Sequence, residues 1–196
     1  MVQFRIVVAK YKEDMAWTST LPCIIYNKDS SNEDSRFITL ENIGREAHTY
    51  LHHIVSNYDN LDDYTVFVQG HPFDHSPRLL EKIRYISFLD ELPDFIHLSE
   101  FILPTSTHED PYHQALPMKE VYTYLFGEPS SRKNFCFGAG AQFLVSRKLI
   151  QHIPKETYEK LLKYSVEGWG PYLLERFWEQ IFMSGIDGIP QLNIST

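Results

Sequence analysis

The chain predicts an α/β sandwich with a central, mostly parallel sheet flanked by helices. Three observations lead there. Short β-rich runs and helical stretches alternate through the first half in the order strand, strand, helix, strand, helix. The segment TVFVQGHPFDHSP (Thr65 to Pro77) opens like a buried strand and breaks at a glycine into a polar loop. Three strand ends carry polar segments, AKYKED, YNKD and QGHPFDH, and ligands of such sheets bind beyond the carboxyl ends of the strands.

FRIVVA (Phe4 to Ala9) reads as the first strand and CIIYNK (Cys23 to Lys28) as the second. YKEDMAWTST between them has the composition of a loop and a short helix, and DSSNEDSRF (Asp29 to Phe37) that of a loop. In NIGREAHTYLHHIVSNYD, residues Ala47, Tyr50, Leu51, Ile54, Val55 and Tyr58 recur at steps of three and four, which predicts a helix with one apolar face and Asn42 as its N-cap. YTVFVQ (Tyr64 to Gln69) is the third strand, and a second helix follows around PRLLEKIRYISFLDEL. Residues 93–117 lack periodicity and are expected to form a long functional loop over a cleft. MKEVYTYLFG predicts a helix, NFCFGAGAQFLVSR a strand interrupted by glycines, and PKETYEKLLKYS and PYLLERFWEQIF further helices.

At 196 residues, a single domain spanning 1–196 is expected. The 43% hydrophobic and 22% charged content is that of a soluble globular protein. Aromatic content of 14% suits a deep core or a pocket that stacks rings. A net charge of −8 argues against a general nucleic-acid binder, which needs clustered cations. Cys23 and Cys136 form no CxxC or zinc spacing, so a reduced, cytoplasmic setting is expected. The N-terminus reads as a strand rather than a signal peptide, and no apolar run approaches the ~20 residues that span a bilayer. Asn193-Ile194-Ser195 matches a glycosylation sequon, a pattern common by chance. The end GIPQLNIST would suit a domain that continues into a longer, multidomain chain.

Several side chains invite chemistry. Arg45 sits in the predicted first turn of the long helix, where the dipole disfavours a cation unless an anion joins it. Gly44 beside it would let a ligand approach the backbone, and Arg45 paired with Glu41 or Glu46 on the surface is the plainer alternative. His48 and His52 share a helix side and read as half-buried structural histidines or a zinc pair, while His53 points elsewhere, into solvent. Asp74 at a strand exit suits a divalent cation that takes its other ligands from phosphate and water, with Gly70 and His71 beside it. His75 suits Mn²⁺ or a sugar hydroxyl, and the alternative for Asp74 is an Asx-turn. Tyr11 suits a nucleobase stack, with Glu13 or Asp14 accepting from base or ribose, or Asp14 capping a short helix. Glu175 and Arg176 are helix-surface charges or a catalytic pair. GxGxxG, P-loop and GxSxG patterns are all missing, which weakens dehydrogenase, kinase and hydrolase readings.

The set AKYKEDMAW, IIYNK, ENIGREAHTYLHHI, DYTVFVQGHPFDH, GAGAQFLVSR and YLLERFW resembles a family known as a domain of unknown function. It also resembles the small glycosyltransferase domains of large algal (chlorella) viruses. The resemblance runs over nearly the whole chain and is most specific around Arg45 and Asp74. It implies a compact GT-A-like fold, a UDP-sugar donor, Mn²⁺ or Mg²⁺ at the diphosphate, and a glycan or other hydroxyl acceptor. In the viral case the setting would be host cytoplasm. It further implies that Ala9 and Tyr11 border the uracil, Lys28 or Asp29 the ribose, Arg45 the diphosphate and Asp74 the metal. GAGAQF would face the sugar or acceptor, and Glu175 would lie near the acceptor. One departure stands out: such enzymes show Asp-x-Asp at the metal, whereas this chain reads HPFDH. Glu175, Asp14 and His113 are the candidate bases. A metal-dependent phosphoesterase built on Asp74, His75, His48 and His52, and a non-catalytic nucleotide- or carbohydrate-binding module, are the competing readings.

Overall fold

The apolar run of β1 (Phe4–Lys10) supplies both faces of a sheet: Ile6 and Val8 join one core cluster, Val7 the other. Strand β4 (Tyr64–Gln69) repeats the pattern, with Val66 and Val68 on one side and Phe67 on the other. Successive side chains of a strand alternate faces, so runs apolar at every position mark strands covered by helices on both sides. Each fully buried Val or Phe of this kind contributes about 1.5–3 kcal/mol.

The computed structural model describes residues 3–31 and 34–184, and the GIPQLNIST end with its Asn193 sequon lies outside them. Together with β2 (Cys23–Asn27), β3 (Ile38–Thr39), β5 (Phe95–His97) and β8 (Phe143–Ser146), the two central strands build a six-stranded sheet in the order β3-β2-β1-β4-β8-β5. β1, β2, β3 and β4 run parallel, while β8 is antiparallel to both β4 and β5. The fold is therefore mixed α/β with a mostly parallel sheet, as the element order predicts.

Helix α1 (Arg45–Asn57) packs Ala47, Tyr50, Leu51 and Ile54 into the core, on the spacing that predicts it. α6 (Gly170–Phe182) covers the same face with Leu174, Phe177, Trp178 and Ile181, joined by α3 (Met118–Phe126), α4 (Arg147–His152) and α5 (Lys155–Tyr164). α2 (Leu79–Ile86) covers the other face with Leu79 and Ile83. Among the described residues no helix is long and apolar enough to cross a membrane.

Four expectations are corrected. The cap of α1 is Gly44, in a left-handed conformation, and not Asn42. Residues 93–117 are not one loop, because they contain β5 and β6 (Ile102–Ser106). The glycine-interrupted run is two strands in different sheets: β7 (Asn134–Gly138) pairs with β6 outside the main sheet, and β8 enters it. The turn between them carries positive φ at Gly140 and Ala141. Finally, His53 is buried and not solvated. Its Nδ1 meets the Tyr26 hydroxyl at 3.0 Å, and burial pulls its pKa down to about 4. His48 and His52 stack with ring centroids 6.2 Å apart, and burial lowers both pKa values, to about 4 for His48.

Candidate functional site

Parallel register brings the exits of β1, β2 and β4 level. Lys10 pairs with Asn27, and Ala9 pairs with both Tyr26 and Gln69. The chain leaves the sheet at one edge, where a cleft of about 450 Å³ opens. Ala9, Lys10, Tyr11 and Glu13 line it from the β1 exit, and Lys28 from the β2 exit. Asn42, Arg45 and Glu46 come from the start of α1, and Gln69, Gly70, His71 and Asp74 from the β4 exit. Eight of the residues singled out from the sequence thus meet here: Ala9, Tyr11, Glu13, Lys28, Arg45, Gly70, His71 and Asp74.

Lys28 organises the cationic end of this cleft. Its buried ammonium donates to the backbone carbonyls of Ile43 and Arg45, so the chain entering α1 curls around it. Burial lowers its pKa to about 8, against the opposing pull of Glu46. With the Arg45 carbonyl turned toward Lys28, Gly44 and Arg45 both adopt positive φ, +60° and +49°. For a non-glycine residue this conformation costs on the order of 1 kcal/mol or more, and such outliers concentrate at functional sites. No side chain caps the first-turn amides of α1, so they remain suited to an anion.

The Arg45 guanidinium lies over the Tyr172 ring at 5.0 Å and approaches the Glu46 carboxylate at 3.7 Å. Glu46 has only 10% of its side chain exposed, and burial raises its pKa despite Arg45. Lys10, also buried, donates to the Tyr11 carbonyl at 2.7 Å. Tyr11 is 41% exposed, with the Lys12 ammonium 5.1 Å from its ring. Asp74 projects from a short 3₁₀ turn (Pro72–Asp74) at the lip, three-quarters exposed, and pairs with His71 Nε2 at 3.4 Å. Among the described residues no group of three or more His, Cys, Asp or Glu is gathered that could hold a metal ion. Asp74 and His71 would offer a cation two ligands at most, the others having to come from phosphate or water.

The remaining singled-out residues lie elsewhere. Asp14 lines an adjoining cavity of about 540 Å³ and accepts from the Ala16 amide at 3.0 Å, the helix-capping alternative. Asp29 closes its own turn, accepting from the amide and hydroxyl of Ser31, and these bonds lower its pKa. His75 packs against the GAGAQ turn, where a Cβ on Gly140 would collide with its ring. Glu175 has both oxygens taken. One accepts from the Gly140 amide at 2.7 Å, and the other from Arg176.

Two glycines also stand in close quarters. A Cβ on Gly44 would stand 2.7 Å from His48 Cβ and 2.8 Å from the Ser165 carbonyl. One on Gly70 would stand 2.6 Å from the Glu13 carboxylate.

Arg176 is not a surface charge: only 3% of its side chain is exposed. Its Nε donates to Asp110 Oδ2 at 3.1 Å, and its Nη2 donates to His113 Nδ1 at 2.8 Å. The fully buried Asp110 also accepts from the amides of Tyr112 and His113, at 3.0 and 2.7 Å. Lys10 and Asp110 were not singled out from the sequence, Glu46 was named there only as a surface partner of Arg45, and Arg176 only beside Glu175. For Arg176 the signal was present, since Leu173, Arg176 and Phe177 fall at i, i+3 and i+4 on the apolar face of α6. Asp110 has no periodic context, and its partner lies 66 residues away.

Residues 6–93 match the model of a family described as a protein of unknown function (DUF3431), under half of the chain. The match contains every residue lining the cleft and excludes the Asp110–Arg176 pair. No curated protein and no solved structure matches the chain.

Proposed function

We propose that the cleft is the donor site of a glycosyltransferase, which moves a sugar from a UDP-sugar to a glycan or other hydroxyl acceptor with Mn²⁺ or Mg²⁺ at the diphosphate. The observation that carries this reading is the convergence of Lys10, Lys28 and Arg45 on one strand-end cleft whose opposite lip bears Asp74. A diphosphate needs that arrangement: cations and backbone amides on one side, and a carboxylate to share a divalent ion on the other. Tyr11 at the β1 exit would stack the base.

In the reaction, the acceptor oxygen bonds to the anomeric carbon while the bond from that carbon to the diphosphate oxygen breaks and its electron pair leaves with UDP. Lys28 and Arg45 take up the charge that develops on the leaving diphosphate. Asp74 and His71 would hold the divalent ion, which would supply Lewis-acid stabilisation there. The acceptor proton must pass to a base. Of the candidate bases, Asp14, Glu175 and His113 do not line the cleft, so we assign this role to Glu46, the mostly buried carboxyl that does. Its raised pKa brings it nearer the range in which a general base works best.

Isothermal titration with UDP, with MnCl₂ and again with EDTA, tests the donor site. Binding should strengthen with Mn²⁺, and Asp74→Ala should lose that gain. No UDP binding in either buffer would overturn the reading and favour a phosphoesterase or a simple binding module. Glu46→Gln should keep UDP affinity yet lower transfer roughly 100-fold or more. It should also abolish the acid limb of the rate profile, which in the wild type falls as Glu46 is protonated. A Glu46→Gln protein with normal turnover would remove Glu46 from the mechanism.

A further inference from the structure

Arg45 lines the cleft and also touches residues outside its lining. On its far side the guanidinium rests on Tyr172, whose hydroxyl lies 3.4 Å from Nη1. The Tyr172 ring in turn neighbours two exposed rings: Trp169 at 5.7 Å and His113 at 6.0 Å. Trp169 is 45% exposed, and the His113 side chain 48%.

His113 is held there by buried charge. Asp110 fixes the backbone of residues 112 and 113 by accepting hydrogen bonds from both amides, and Arg176 donates to the imidazole. A guanidinium can only donate, so Nδ1 must accept, and the ring proton therefore sits on Nε2. Burying an Asp–Arg pair is costly unless its geometry is well satisfied. Here the pair is satisfied, and it orients one exposed histidine as a hydrogen-bond donor.

We propose that Trp169, Tyr172 and His113 form the acceptor subsite of the cleft, one that takes a hydroxyl-rich sugar ring. This rests on the donor-site reading above and names the acceptor class. The aromatic rings offer flat apolar surface to the C–H face of a pyranose, and His113 Nε2–H donates to one of its hydroxyls. Arg45, touching Tyr172, joins this platform to the diphosphate end. In this reading Asp110 and Arg176 are positioning residues, acting through His113.

Saturation-transfer NMR with methyl β-D-glucoside, methyl β-D-galactoside and methyl α-D-mannoside tests the subsite, with UDP titrated into the same samples. The wild type should bind at least one glycoside, and Trp169→Ala should weaken it roughly tenfold with UDP affinity unchanged. Two His113 variants separate donation from support of Arg176. Asn can replace Nδ1 as an acceptor but has nothing at Nε2, whereas Gln restores a donor near Nε2. His113→Gln should therefore retain sugar binding, and His113→Asn should lose roughly fivefold. Full sugar binding by His113→Asn or by Trp169→Ala would overturn the subsite. So would a wild type that binds UDP but none of the glycosides. A protein that binds a glycoside but not UDP would keep the subsite and sink the donor reading instead.

Discussion

Replacing Asp110 by alanine is expected to destabilise the fold by about 3 kcal/mol, the low end of the range for breaking a buried ion pair. The carboxylate accepts from Arg176 Nε, from the Thr105 hydroxyl at 3.1 Å and from two backbone amides. The Arg176 and Thr105 donors find no water easily once it is gone, because both residues are themselves buried. Glu175 still faces Nη1 of Arg176, which keeps the loss from growing larger. For a domain of this size the midpoint of thermal unfolding should fall by about 6–12 °C. A melt within a degree or two of wild type would show that the pair contributes little and that the 107–117 segment is held by other contacts.

The second large effect is expected at Lys28. Substituting Met keeps the chain's volume and removes the ammonium that joins the Ile43 and Arg45 carbonyls to the cleft. UDP affinity should fall roughly 10- to 100-fold, the worth of a hydrogen bond to a charged group. Arg45→Ala should cost less, since that side chain is more than half exposed and screened by water. The pH dependence separates the two. The Lys28 pKa is lowered to about 8 by burial, so the free protein loses this cation as pH rises through 8. Wild-type UDP affinity should weaken over that window, while Lys28→Met should show no such limb. Calorimetry at pH 7 and pH 9 checks both, and equal affinity for wild type and Lys28→Met at pH 7 would remove Lys28 from the binding site.

The half of the cleft made by β1, β2, β4 and α1 was legible because its signals are local. Apolar runs that end in Lys10, Lys28 and Gly70 mark strand exits. The three- and four-residue spacing from Ala47 to Ile54 marks the helix whose first turn carries Arg45. Parallel pairing of short strands then brings those exits to one edge. The choice between Glu46 and Glu175 was not legible, because both are lone carboxylates on helices. Only the Gly140 amide and Arg176 show that Glu175 is occupied.

By itself, then, the sequence determined the alternating α/β order, the both-faces-buried character of β1 and β4 and the polar segments at their ends. These follow from side-chain periodicity, which reports how each segment meets water and apolar neighbours. The tertiary structure alone decided that β8 enters the sheet antiparallel while β7 leaves it. It also decided that Arg176 reaches back 66 residues to Asp110, and that Tyr172 reaches back 127 to Arg45. Those pairings join residues with no common period, and they form only where packing brings two distant segments close enough for a charge or a ring to find its partner.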